Sequence, residues 1–232
     1  MRMAVLTLCA GLLAASVAAG VPARAVPAAE PMAGEIVVPQ VFARRAPDRA
    51  ASVVRVLTEF RSDFRPRVVL VLETRITPSG AQWHRVSLPG RPNGQRGWIP
   101  GESVRLRRVV NKIVVHRAAR RLEVRRLADG KVLFRAPVAV GTPDAPTPLG
   151  HNFYVQWRFT PTDPFFGPFA LETSAYSRLS DWPGGGIVGI HGTSLPELIG
   201  QAVSHGCIRL RNEDVVRLRG LAAVGTPLDI VP

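Results

Sequence analysis

Two short stretches near the C-terminus hold the residue types that covalent chemistry needs: Ile187-Val188-Gly189-Ile190-His191-Gly192-Thr193-Ser194, and Ser204-His205-Gly206-Cys207-Ile208-Arg209-Leu210-Arg211-Asn212. The chain has two cysteines, Cys9 and Cys207. Cys9 sits in an N-terminal apolar run that reads as a cleaved leader, which leaves Cys207 as the one thiol of the mature chain. A solitary thiol closes no intramolecular disulfide; it is inert, paired between chains, or a nucleophile. Its neighbours favour the nucleophile. Gly206 permits a tight turn that exposes the sulfur, and backbone N–H groups at such a turn can converge on a developing oxyanion. A thiol at neutral pH needs an imidazole to become a thiolate, and the same imidazole returns the proton to a leaving amine. Two histidines qualify on spacing alone. His205 and Cys207, two apart, share a face of an extended chain. His191 ends an apolar run, and the carbonyl of Gly192 can fix its tautomer. A zinc site from His191, His205 and Cys207 lacks a fourth ligand at a familiar spacing, so no metal is expected.

The elements around these residues must bring them together. Ser194-Leu195-Pro196-Glu197 reads as a capping box with proline in the first turn, opening a short helix that Gly200 stops. Asn212 reads as the cap of a second helix, with Glu213 and Asp214 complementing its dipole. Gly225-Thr226-Pro227 ends that helix, and Leu228 to Val231 reads as a closing strand. Upstream, Lys112 to His116, Arg121 to Leu127 and Val132 to Val140 read as strands, with Asp129-Gly130 at the centre of a hairpin turn. His116 falls within this strand-like sequence and reads as structural. Gly141 to Gly150 is a rigid, proline-rich loop. Residues 152–186 are dense in aromatics, Tyr176 and Trp182 among them, and long loops of this kind cover sites.

Residues 35–108 carry short strand-like runs separated by turn residues: Glu35 to Phe42, Val53 to Leu57, Arg67 to Leu72, Gln82 to Leu88 and Gln95 to Pro100. That spacing predicts a small β-barrel, in which Trp83 and Trp98 serve either as core or as binding aromatics. Residues 1–25 read as a secretory signal: Arg2, an apolar run, then Ala23-Arg24-Ala25 as the cleavage site. The run is too short for a membrane span. Residues 26–34, rich in Pro and Ala, read as a linker. The chain is mainly β by this reading, with domains at 35–108 and 109–232.

The 232 residues carry a formal net charge of +13, almost wholly from arginine. A basic secreted protein is drawn to an anionic cell wall. No recognition motif or basic helix points to nucleic acid.

I-H-G-T followed by S-H-G-C-I-R resembles the catalytic domain of the L,D-transpeptidases, the peptidoglycan cross-linking cysteine enzymes, over about Val110 to Pro232. Thr147-Pro148-Leu149-Gly150 matches a further T-P-x-G feature of that family. The resemblance implies a β-sandwich-like domain without a cofactor. Cys207 becomes the nucleophile, His191 the acid/base, and Gly192 the carbonyl that orients the imidazole. His205 lines the site with the amides of Gly206 and Cys207. Ser204, Tyr176 and Arg209 become substrate-binding positions; Arg209 stands where some members have asparagine. Stem peptides of peptidoglycan become the substrates, in the periplasm or the wall. The same site with water as acceptor would make a carboxypeptidase or cross-link hydrolase. An inactive wall-binding protein is the reading from outside enzymology. The pair W-x-x-V and G-W-I-P resembles a bacterial Src-homology-3-like domain.

Overall fold

The computed structural model describes residues 31–181 and 183–232. The signal-like segment 1–25, residues 26–30 of the expected linker and Trp182 lie outside the described residues.

The N-terminal strands are β1 (Met32–Ile36), β2 (Gln40–Arg44), β3 (Val53–Thr58), β4 (Val68–Ile76), β5 (Gln82–Ser87), β6 (Arg96–Pro100) and β7 (Val104–Arg108). They form one antiparallel sheet in the order β3-β2-β6-β5-β4-β1-β7. Strand alternation sets the inner face. In β2, Val41 and Ala43 are buried while Gln40 and Phe42 are exposed, as a period of two requires. Leu57 of β3 and Val104 of β7 belong to one apolar cluster with Ile36, Val69, Val86 and Ile99. Six strand spacings of about 4.8 Å would hold the end strands of a flat sheet about 29 Å apart. The sheet must therefore coil around its core, although β3 and β7 do not pair.

Two readings of this region are corrected. The expected linker ends early, because Met32 already pairs with Val71 of β4 and Arg108 of β7. Short side chains in Pro31-Met32-Ala33-Gly34 resemble a linker by composition, but a strand paired on both edges accepts them; Ala33 is 1% exposed. The expected strand Glu35 to Phe42 is two strands. Pro39 supplies no N–H for continued pairing, and β1 and β2 go to different neighbours. Trp83 and Trp98 are both buried, so they are core aromatics rather than an exposed binding pair.

The second sheet comprises β8 (Asn111–His116), β9 (Arg121–Arg126), β10 (Val132–Pro137), β12 (Gly150–Phe159), β13 (Ala170–Tyr176), β14 (Ile187–His191), β16 (Ile208–Arg209) and β17 (Pro227–Val231). Its order is β10-β9-β8-β17-β12-β13-β14-β16, with β17 parallel to β8 and β14 parallel to β16. β11 (Val140–Gly141) and β15 (Ala202–Ser204) form a small parallel pair beside it. The hairpin between β9 and β10 turns at Gly130, where the Asp129 carboxylate accepts from Lys131 N.

The chain is mainly β, as expected, but its helices differ from the sequence reading. Among the described residues one α-helix, α1 (Asn212–Leu221), seats Val215 and Leu218 in the core. The other expected helix is a single 3-10 turn, Pro196–Leu198, with no side-chain cap. The capping box at Ser194 is not formed; Thr193 Oγ1 accepts from Leu195 N instead. Asn212 does not cap α1. Its Oδ1 accepts from Thr193 N, 2.9 Å away.

The two sheets meet through charged and amide side chains. Arg61 pairs with Glu172 of β13 at 2.6 Å. Asn93 both accepts from Tyr176 N and donates to Tyr176 O, as a neighbouring strand would. Arg91 donates to three carbonyls, those of Ser177, Leu179 and Gly185.

Candidate active site

Register assembles the site. Along β14, Val188 and Ile190 enter the core. Ile187, Gly189 and His191 therefore face the other way. Glu172 sits opposite Gly189, and Arg209 lies beside His191 on β16. Residues paired directly across a sheet share a face. One face of β13, β14 and β16 thus carries Glu172, Gly189, His191 and Arg209 together.

Cys207 precedes β16 and turns its sulfur onto this face. Gly189 N–H donates to Sγ at 3.4 Å. A Cβ placed on Gly189 would lie 3.6 Å from His191 Cδ2 and 3.7 Å from Cys207 Sγ. The imidazole and the thiol therefore flank the same missing side chain. His191 is 2% exposed. Its Nδ1 is 2.6 Å from the Gly192 carbonyl. A carbonyl only accepts, so Nδ1 carries the proton and Nε2 is left with its lone pair when the ring is neutral. Burial drives His191 down to about 4, against the Gly192 bond, which raises it; the nearby Arg209 charge lowers it further. Burial also pushes the Cys207 thiol up, opposed by the Gly189 N–H and by Arg209. The resting pair is a neutral thiol beside a neutral imidazole, rather than an ion pair.

The cysteine turn is fixed from three sides. Ser204 Oγ donates to Cys207 O at 2.6 Å and accepts from Gly206 N at 3.1 Å. Thr147 Oγ1 donates to Gly206 O and accepts from Gly141 N, both at 2.9 Å. Gly206 has φ 118°, and a Cβ there would lie 2.8 Å from Ser177 Cβ. Only glycine satisfies both conditions. Gly192 meets Gly167 backbone to backbone; a Cβ on Gly192 would sit 2.4 Å from Asn212 Oδ1. This contact carries the segment Asp163 to Gly167 against the imidazole. Phe166 stands edge-on to His191 with centroids 5.0 Å apart, and Arg209 lies 4.8 Å over the Phe165 ring.

The sequence-predicted residues separate into groups. Cys207, His191, Gly192 and Gly206 come together as one constellation, and Arg209 joins them, buried and with an Nε lacking an acceptor among the described residues. Ser204 is corrected: it is 1% exposed and its hydroxyl braces the turn, so it offers nothing to a ligand. The Gly206 amide is corrected too, since its N–H is taken by Ser204. His205 is exposed. Tyr176 is half-buried at the boundary of the two sheets, with Arg91 5.0 Å over its ring. Arg211 is exposed. Among the described residues no group of three or more His, Cys, Asp or Glu side chains could hold a metal ion.

Gly189, Thr147 and Asn212 had no site role in the sequence reading, whereas Phe165 and Phe166 fall in the aromatic stretch 152–186 expected to cover the site. Gly189 was within reach of it, because a strand ending at His191 puts the residue two before it on the same face. Thr147 and Asn212 act across 59 and 19 residues of chain respectively, which no local pattern encodes.

A model of the L,D-transpeptidase catalytic domain, YkuD, matches residues 111–230. The chain belongs to this family. YkuD of Bacillus subtilis, whose name assigns it to the L,D-transpeptidases, is 35% identical over 102 residues, which are 44% of this chain and 56% of that protein. Its namesake from Bacillus licheniformis is 38% identical over 96 residues, 41% of this chain and 52% of that one. The chain spans about half the length of these curated relatives. Among solved structures, an L,D-transpeptidase from Mycobacterium smegmatis superposes with a TM-score of 0.44 at 18% identity, covering 66% of this chain and 91% of that one.

Proposed function

We propose that the protein is a peptidoglycan L,D-transpeptidase that works through a Cys207 thioester. The observation that carries this reading is the convergence of Cys207 Sγ and His191 over Gly189, with the ring tautomer fixed by Gly192. His191 Nε2 takes the proton of Cys207 as the sulfur attacks the carbonyl carbon of an L-centre in a tetrapeptide stem. The Cys207 N–H faces the oxygen that gains charge. The C–N bond to D-alanine breaks, and the imidazolium gives its proton to the leaving amine. The side-chain amine of a diamino acid in a second stem then attacks the thioester carbonyl. His191 removes the amine proton and returns it to the sulfur as the C–S bond breaks. Water in place of the amine would make the enzyme a carboxypeptidase or hydrolase.

Other parts of the reading accompany this one. His191 is the base rather than His205, because His191 is buried against the sulfur's own face. The protein acts outside the cytoplasmic membrane on an anionic wall, as its leader-like start and basic charge suggest. Among the described residues no helix is long and apolar enough to cross a membrane. The coiled sheet of residues 32–108 is a Src-homology-3-like module, a reading supported by its short antiparallel strands and the G-W-I-P segment.

Intact-mass spectrometry with a carbapenem tests the nucleophile. A covalent adduct on the parent protein that is lost in Cys207→Ala supports it, and a parent protein without any adduct overturns it in favour of a wall-binding protein. Incubation with muropeptides separates the acceptors: cross-linked dimers support transfer, and trimmed tripeptides alone support hydrolysis.

A further inference from the structure

A second cavity opens on the same sheet face as the thiol. It holds roughly 290 Å³, and its lining includes Arg55 of β3, Arg61 and Arg67 of the β3–β4 connection, and Gln156, Tyr176 and Ile187 from the catalytic sheet. The charges around it do not balance. Glu172 and Asp63 answer Arg61 and Arg65, at distances of 2.6 to 3.7 Å. Arg55 and Arg67 have no carboxylate partner among the described residues. Arg55 donates to Arg91 O and Gln95 Oε1. Arg67 donates to Thr58 O, Thr58 Oγ1 and Phe60 O. All of these acceptors are neutral.

Donors are also left over. Arg55 Nε and Arg61 Nη1 are shielded from solvent and have no acceptor among the described residues. Tyr154, fully buried on the side of β12 opposite core residues Phe153 and Val155, has an unpartnered hydroxyl. The fields of Arg67, Arg61 and Arg55 all reach it. Buried N–H and O–H groups without partners are costly. Clustered around excess positive charge, they call for an anion that accepts several bonds at once, and a carboxylate does this.

The cavity's position says which carboxylate. Ile187 on its wall is two residues before Gly189 on the same face of β14. At about 3.3 Å per residue, the wall lies about 7 Å along the strand from Gly189, which sulfur and imidazole flank. That is about the span of two residues of an extended peptide. We propose that this cavity is a carboxylate subsite of the peptide cleft, in which Arg55 and Arg67 hold a carboxylate carried about two residues from the carbonyl that meets Cys207. The proposal rests on the acyl-transfer reading above and adds a contribution from the N-terminal sheet to substrate choice.

The test uses the full chain and two matched tetrapeptide stems, one with free carboxylates off the scissile centre and one with these amidated. Acylation of Cys207 is followed by mass, and the alkylation rate with neutral iodoacetamide reports the thiol itself. The parent protein should be acylated at least about tenfold faster by the acid peptide. Arg55→Gln and Arg67→Gln should remove that preference through KM, with alkylation unchanged, and Arg67→Lys should restore part of it. Presenting the same acid and amide forms as acceptors to preformed thioester tells whether the donor or the acceptor carries the group. Acylation and transfer that ignore the peptide carboxylate overturn this proposal alone. A thiol that iodoacetamide alkylates but no peptide acylates overturns the transfer reading and this proposal with it. The comparison on the parent protein needs no variant to fold.

Discussion

Two buried polar clusters sit toward opposite ends of the catalytic sheet, and burial has opposite results in them. On β9, Glu123 is 1% exposed, yet Arg125 and Arg135 donate to it and Arg121 and His116 lie within 4 Å. Burial alone would raise its carboxyl, but these arginines hold it down, at about 2. At the β14 end, His191 is buried and Cys207 half-buried, the few groups that favour their charged forms do not offset desolvation, and both are kept neutral. A polar group whose partners are complete is fixed in one state and serves the fold. A pair whose partners are incomplete is free to exchange a proton when a substrate arrives. The difference lies in the count of compensating donors rather than in the degree of burial.

The largest expected effect breaks the pair outright. Cys207→Ala should abolish acylation, and His191→Ala should slow it by at least about a thousandfold, while both retain parental thermal midpoints within a few degrees. Stopped-flow or mass-based acylation rates measure this. A His191→Ala protein acylated at the parental rate would pass the role to another group.

Glu123→Ala should do the reverse. It removes a carboxylate bonded by half-exposed guanidiniums and should cost about 1–2 kcal/mol of stability, read by urea unfolding. Acylation of the protein that remains folded should stay near the parental rate. Loss of activity without loss of stability would join the two clusters that the comparison separates.

Acid should act on the β14 end in a defined window. The folded His191 value lies below its unfolded value of 6.5, at about 4. Between these values the unfolded state binds more protons, so stability falls as pH drops from 6.5 toward 4 and levels off below. The contribution is roughly 3 kcal/mol. The acid limb of acylation should likewise fall near pH 4 instead of 6.5. His191→Gln should flatten that part of the stability profile.

A smaller effect sharpens the geometry. The Cβ of Gly189→Ala would meet the imidazole and the sulfur at ordinary contact distances. The protein should fold with stability within about 1 kcal/mol of the parent, yet lose roughly tenfold in acylation because a methyl group now stands between nucleophile and base. The smallest change is expected at Arg126→Ala. Its exposed pair with Asp129 should contribute less than about 0.5 kcal/mol.

The sequence disclosed the site far better than the scaffold's joints. Cys207 was legible because a sulfur is rare here and carries its chemistry in its identity; spacing alone left His191 and His205 open, and the family resemblance separated them. The strands of both sheets were legible through alternation, as in β2 and β14. Asn212 was misassigned because a residue that caps helices in general was claimed by Thr193, a partner visible only once the chain had folded. Ser204, offered for substrate by the family resemblance, has its hydroxyl taken by the turn itself, which needed two hydrogen bonds there. The start of β1 was hidden because pairing from both edges replaced the intrinsic propensity that Pro31-Met32-Ala33-Gly34 lacks.

Arg91 has a consequence for how such a protein diversifies. One guanidinium from the first sheet grips the chain just beyond β13 at three carbonyls, so the wall beside the cysteine turn belongs to both halves of the molecule. An unrelated module grafted before Val109 would arrive without that grip and leave residues 177–185 to find another anchor. Exchange of the leading module would therefore change the wall beside the cysteine turn as well.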